Sequence, residues 1–335
     1  MISKSDTTIL KGVAILFMLY LHLFNQIGNV NLCTLYLYIG DVPLTYLFSR
    51  CTNPVAFFVI LSGYGLYISY RNGKRNFVQR VLRLYVHYWI TLLMFIPLGG
   101  WIVGPDQYPG SLKQIIENIL GWHTTYNAEI WFLFPYLLLV FTYVPFFIYA
   151  DRIKPVRIFL WTGSLYFITS YMIHLYGTSY LYGHRWAYWP IVYVNFLFPF
   201  SIGMLMARCS VIGNIQGRFS LNNMGWILLL LLFGLRMLIR TNIFNPLYAS
   251  CFIILFVLIK RPVWLNSVLF KVGERSTSMW FVHTYFCSYF FHDFIYGFRY
   301  PLLIFGMLFI LSYLSAIIID QVNSKIQHWM TLYYF

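Results

Sequence analysis

"LKGVAILFMLYLHLF", residues 10–24, is a nearly unbroken apolar run with Lys11 near one end and His22 near the other. Its composition is that of a bilayer-crossing helix, for which about 20 mostly apolar residues span a hydrocarbon core of ~30 Å. The rest of the chain repeats the pattern: of 335 residues, 60% are hydrophobic and only 10% charged, which leaves no room for a water-soluble domain between the apolar stretches. Spans are expected near residues 9–27, 52–70, 82–103, 130–150, 157–175, 187–207, 223–240, 246–260, 276–295 and 301–322. The fold class is therefore all-α: a polytopic transmembrane bundle of about ten helices, forming one integral membrane domain over residues 1–335 with no separate soluble domain. The eighth span is short and the sixth contains Pro190 and Pro199, whose freed carbonyls neighbouring helices can satisfy in lipid. No small-residue cleavage site follows the first span, so it reads as retained rather than as a signal peptide.

Orientation follows from the cations. With the N-terminus inside, all but six of the 23 Lys and Arg fall on the inner side, the exceptions being Arg50, Lys113, Arg185, Arg236, Arg240 and Arg299. Under the positive-inside rule this places both termini in the cytoplasm, which an even number of spans permits. The net charge of +14 is then mostly topological, and no basic patch is interleaved with a nucleic-acid recognition motif. The location expected is the cell membrane. Cys33, Cys51, Cys209, Cys251 and Cys287 have no metal-ligand spacing. Cys33 and Cys51 would share the first outer loop, which leaves a disulfide between them open. The tryptophans and tyrosines fit interfacial belts.

The titratable groups inside the spans carry the functional signal. Lys11 and His22 are eleven residues apart, about three turns plus 20°, so they project from nearly one helix face about 16 Å apart along the axis. Lys11 can snorkel to the inner headgroups. His22 lies too deep for that, and a polar group at such depth should face the bundle interior or a water-filled cavity. In "FFVILSGYGLYISYRNGKRNFVQRVLRLY", residues 57–85, Ser62, Gly63 and Gly65 permit close approach of another helix or a ligand. The cations Arg71, Lys74, Arg75, Arg80 and Arg83 follow at the inner mouth. Arg80 and Arg83, at i and i+3, share a face and can converge on phosphates. In "GERSTSMWFVHTYF", residues 273–286, Ser276 and His283 stack on one face two turns apart; capping of the ninth span is the plainer use of the serines.

These motifs, in this order, resemble the acyltransferase-3 family of polytopic membrane acyltransferases: Lys, ten residues, His in the first span; "FFVILSGYGLY"; Arg-x-x-Arg in "FVQRVLRLY"; "WFLFPYLLL" at 131–139; and a Gly-x-x-Ser segment ending in "WFVH". The likeness runs from about residue 5 to about residue 325. It implies transfer of an acyl group, commonly acetyl, from cytosolic acetyl-CoA or another acyl-CoA to a hydroxyl on a glycan at the outer face. No tightly bound cofactor is expected; acyl-CoA is a substrate. Carried over by position, His22 is the catalytic histidine, with Lys11, Arg80 and Arg83 at the donor site. The family often has Arg where this chain has Lys11, a difference that weakens bidentate phosphate recognition. Some members continue into a soluble domain after the tenth span, whereas this sequence ends at Phe335.

The residue chemistry agrees with that assignment. Coenzyme A carries a pyrophosphate and a 3′-phosphate, which basic groups at the inner mouth would meet. A neutral imidazole at His22 can take the proton of an attacking hydroxyl as general base; a covalent acyl-histidine is the competing mechanism. Asn25, one turn on, is a candidate to orient the ring or donate to an oxyanion. Ser62, Ser276 and His283 are counted with the donor-binding residues, and Glu129 and Trp131 with the acceptor site. The partners expected are acyl-CoA, a glycan and the bilayer, without nucleic acid or metal. The alternative function is a transporter or flippase for a glycan or lipid-linked precursor. It is disfavoured because the nine acidic residues all read as lying at helix ends or in loops, where they cannot couple protons to transport.

Overall fold

The computed structural model describes residues 2–74, 76–217 and 224–334. Arg75 and Arg218, counted among the inner cations, and the first residue of the seventh span lie outside that set. The chain is helical nearly throughout. Its principal helices are α1 (Lys4–Phe24), α2 (Val55–Arg71), α3 (Phe77–Ile102), α4 (Leu133–Asp151), α5 (Pro155–Tyr176), α6 (Arg185–Arg208), α7 (Met224–Leu238), α8 (Asn245–Leu258), α9 (Val263–Glu274), α10 (Ser276–Thr284) and α11 (Pro301–Tyr334). Among the described residues the extended backbone is a two-residue ladder, in which Tyr38 pairs with Pro43 and Ile39 with Val42. Among the described residues six helices are long and apolar enough to cross a membrane: α1, α3, α4 with its preceding turn, α5, α6 and α11. The segments α2, α7 and α8 are equally apolar but shorter. The expected ninth span is broken, since α10 passes into a π-helix, Tyr285–Phe290, and then a short helix, His292–Tyr296. The sixth span runs unbroken through Pro190 and Pro199.

The chain divides into two compact units. The first comprises Met1–Thr7, Pro54–Phe77 and Phe132–Leu265. In it α2 and α6 cross in backbone contact, because a Cβ on Gly63 would collide with the carbonyl of Phe200 and one on Gly203 with that of Ile60. Small residues at such crossings let dispersion and polar contacts replace the hydrophobic force that lipid cannot supply. Gly63 thus serves helix packing, while Gly65 faces open space. Hydroxyls tie α5 to α6 through Thr162 and Ser201 at 2.8 Å. Arg236, counted with the outer-side cations, is buried in α7, where Asn242 and Asn245 accept from its guanidinium at 3.0 and 2.7 Å.

The second unit comprises Thr8–Asn53, Val78–Trp131 and Asn266–Phe335. Here α1 crosses α9 by the same device: a Cβ on Gly12 would strike the carbonyl of Leu269, and one on Gly273 that of Thr8. An apolar core of Val86, Ile90 and Phe95 from α3 meets Val282, Tyr285 and Ile319. Tyr296 Oη donates to the carbonyl of Leu23 at 2.7 Å and fastens the end of α1. Asp320, read as lying at a helix end, sits well inside α11 and pairs with Arg275 at 3.7 Å. No disulfide joins any of the cysteines, Cys33 and Cys51 included.

Candidate active site

From Gly12 to Phe24 no residue of α1 is exposed. A helix enclosed on every face must bring its polar side chains to other protein groups or to a cavity. His22, near the C-terminal end of α1, meets His283 of α10, their ring centroids 5.0 Å apart and their planes inclined by 53°. A 3-10 turn, Ala128–Phe132, presents Glu129, whose Oε2 is 3.8 Å from His22 Nε2. The His22 side chain is 17% exposed and that of Glu129 39%, so the pair is reached from the carboxylate side. All three residues belong to the second unit.

The tautomer of His283 follows from its neighbours. Nδ1 lies 2.8 Å from the carbonyl oxygen of Trp280 and 3.2 Å from that of Met279. Carbonyls only accept, so Nδ1 bears the proton and Nε2 presents a lone pair. That Nε2 is buried and has no hydrogen-bond partner among the described residues. A bare acceptor in an apolar interior is costly, and such exceptions in native structures call for an explanation.

Glu129 is held by its neighbour Asn127. The buried Asn127 accepts at Oδ1 from the Thr284 hydroxyl at 2.8 Å and from the Glu129 backbone N–H at 3.2 Å, and donates through Nδ2 to the Phe281 carbonyl at 3.4 Å. The Ala128 N–H donates to Tyr289 Oη at 2.8 Å. The Glu129 turn is thereby pinned to the helix that carries His283. The π-helix that begins one residue after Thr284 supplies Tyr289 to this contact, and single π-turns within helices recur at functional sites.

Lys11 is exposed, in contrast to the residues from Gly12 to Phe24 that follow it in the helix, and Arg80 is near enough to act on it electrostatically. Arg80 and Arg83, in the first two turns of α3, are exposed as well. The structure thus separates a cationic end from a histidine end. It brings together His22, His283 and Glu129, although His283 had been grouped with the donor and Glu129 with the acceptor. Asn25 lies just beyond α1, exposed, and makes no side-chain hydrogen bond among the described residues. Trp131 is half-buried in the Glu129 turn. Ser62 belongs to the first unit, where its hydroxyl donates to Tyr136 Oη at 3.4 Å. Ser276 is buried at the start of α10 but caps nothing, because Arg275 occupies the N-cap position. Asn127, Thr284 and Tyr289 escaped the sequence reading; the signal available was the polar "YNAE" at 126–129 directly before an apolar span.

The long apolar helices define a class, a multi-pass membrane protein, in which two imidazoles and a carboxylate meet. Residues 6–321 match the acyltransferase domain family, acyltransferase-3, and the chain belongs to that family. It is accordingly a membrane acyltransferase. Neither a curated protein nor a solved structure matches it.

Proposed function

We propose that this protein transfers an acyl group, most readily acetyl, from cytosolic acyl-CoA to a hydroxyl of a cell-surface or exported glycan. In this reading ten spans cross the cell membrane with both termini inside, the broken segment from α10 to His292–Tyr296 being the ninth. The donor's phosphates rest on Lys11, Arg80 and Arg83. Its pantetheine arm, about the length of four to five extended residues and so roughly 15 Å, covers the ~16 Å between Lys11 and His22.

At the thioester the acceptor oxygen attacks the carbonyl carbon as His22 takes the hydroxyl proton; the C–S bond then breaks, and the proton passes to the departing thiolate to give free CoA. Glu129 stabilises the imidazolium formed in between, and the unpaired Nε2 of His283 accepts a hydrogen bond beside it. The observation that supports this most is the meeting of the largely buried His22 with His283 and with Glu129, which stands at the open side of the pair. The test is reconstituted protein supplied with labelled acetyl-CoA and a polysaccharide acceptor. Label on the acceptor with matching release of CoA is expected; movement of either solute across the vesicle wall without thioester cleavage would overturn the proposal.

A further inference from the structure

Between the cationic end and the histidines lies a second polar cluster that the mechanism above does not use. Asp320 of α11 accepts at Oδ1 from the Ser278 hydroxyl of α10 at 2.6 Å. His87 of α3 places Nε2 at 3.5 Å from the same oxygen. Its Nδ1 faces the Arg83 carbonyl at 2.9 Å, so the proton is on Nδ1 and Nε2 accepts from Asn323 Nδ2 at 3.1 Å. Arg275 approaches Asp320 Oδ2 only to 3.7 Å, too far for a hydrogen bond. All five residues belong to the second unit.

Two positions in this network are unfilled among the described residues. The Nε–H of Arg275 is buried with no acceptor, and Asp320 Oδ2 takes no hydrogen bond. The open N–H takes an amide C=O and the open carboxylate oxygen an amide N–H; because a trans amide points these two groups to opposite sides, the pair calls for two successive amides, which a pantetheine arm carries. Depth points the same way. Ser278 precedes His283 by five residues, about 7.5 Å along α10. The two amides of a pantetheine arm lie roughly 4–9 Å from its sulfur by ordinary bond lengths. In the ten-span reading the cluster lies at the inner ends of the ninth and tenth spans, between the cations and His283, where a donor arm reaching from the cytosol would pass.

We propose that the Arg275–Asp320 pair, braced by Ser278 and flanked by His87 and Asn323, is the binding site for the amides of the donor's pantetheine arm. This rests on the acyl-CoA reading above, and a donor series separates the two. Acetyl-CoA, acetyl-pantetheine, S-acetyl-N-acetylcysteamine, which keeps one amide, and S-acetyl-propanethiol, which keeps none, are compared in one preparation. The wild type should lose about 10-fold or more in kcat/KM when the last amide is removed, as a site built to hydrogen-bond rejects an analogue that cannot. Asp320→Asn should bring that ratio close to 1. Because the ratio is taken within one enzyme, a smaller folded fraction cancels. Should Asp320→Asn fail to insert, Ser278→Ala, which removes one brace but leaves the carboxylate, should lower the ratio by about threefold. An unchanged ratio in the variants overturns the assignment of the pantetheine site. Failure of the wild type to use any of the thioesters overturns the acyl-CoA reading instead.

Discussion

His22 is placed to exchange a proton and Asn127 to hold the carboxylate next to it, and the two should fail differently. His22→Ala should lower kcat by about 10²–10⁴-fold, the usual contribution of a positioned acid or base, with thermal stability in detergent unchanged; near-normal turnover would remove the catalytic role. Asn127→Ala leaves the Thr284 hydroxyl and the Glu129 N–H unpaired. A cost of about 1–3 kcal/mol is expected for each group left buried and unsatisfied, read as a lower unfolding midpoint together with reduced kcat. Asn127→Asp keeps the acceptor oxygen and should recover part of both; equal loss in the two variants would mean that Oδ1 is not what holds the turn. Cys33, in the loop after α1, has its thiol pushed up to about 11 by burial. Only the thiolate alkylates quickly, so maleimide should label Cys33 slowly near neutral pH and progressively faster as the pH rises toward 11. Rapid labelling at pH 7 would contradict that burial. At this scale His22, His283 and Glu129 could be picked out from the sequence, since each is polar within or beside an apolar span. Their association was hidden, because residues 22, 129 and 283 share no local period.

Helix crossings rest on a few glycines. Gly63 and Gly203 join α2 to α6, and Gly12 and Gly273 join α1 to α9, each facing a carbonyl of the opposing backbone. Alanine at any of these forces the helices apart, at about 1–3 kcal/mol by the cost of overpacking. Gly65 and Gly306 face open space, so alanine there should be neutral or slightly stabilising, as alanine is the better helix former by about 1 kcal/mol. Thermal unfolding of the single variants tests the contrast, and equal shifts in both groups would refute it. The cluster Ser62–Gly63–Gly65 advertised close packing in the sequence, but which glycine is used depends on the rotation of α2 against its neighbour. Helix composition likewise exposed the long spans, whereas the π-helix after Thr284 has no compositional signature.

For the molecule as a whole, the charge distribution predicts both termini on the cytoplasmic side. Single cysteines placed at Ser5 and at Gln327 in a background stripped of native cysteines should react with an impermeant maleimide only from the cytoplasmic face of oriented vesicles. Labelling from opposite faces would require an odd number of spans. The acidic residues are not confined to helix ends and loops, where they would count against a carrier: Asp320 lies within α11 and Glu129 at the start of a candidate span. Both are engaged with neighbouring groups, Asp320 with Ser278 and Arg275, Glu129 with His22.

Taken alone, the order of residues determined the solvent, the helical class, the family and the deep histidines. Each of these is written in composition, in a period of 3.6 or in spacing along one segment. Tertiary structure alone decided that Glu129 stands beside His22, that His283 Nε2 has no partner among the described residues, and that Asp320 gathers Arg275, Ser278 and His87. Those are encounters between residues scores to hundreds of positions apart, and they are selected by how closely backbones pack at a handful of glycines rather than by any local preference of the chain.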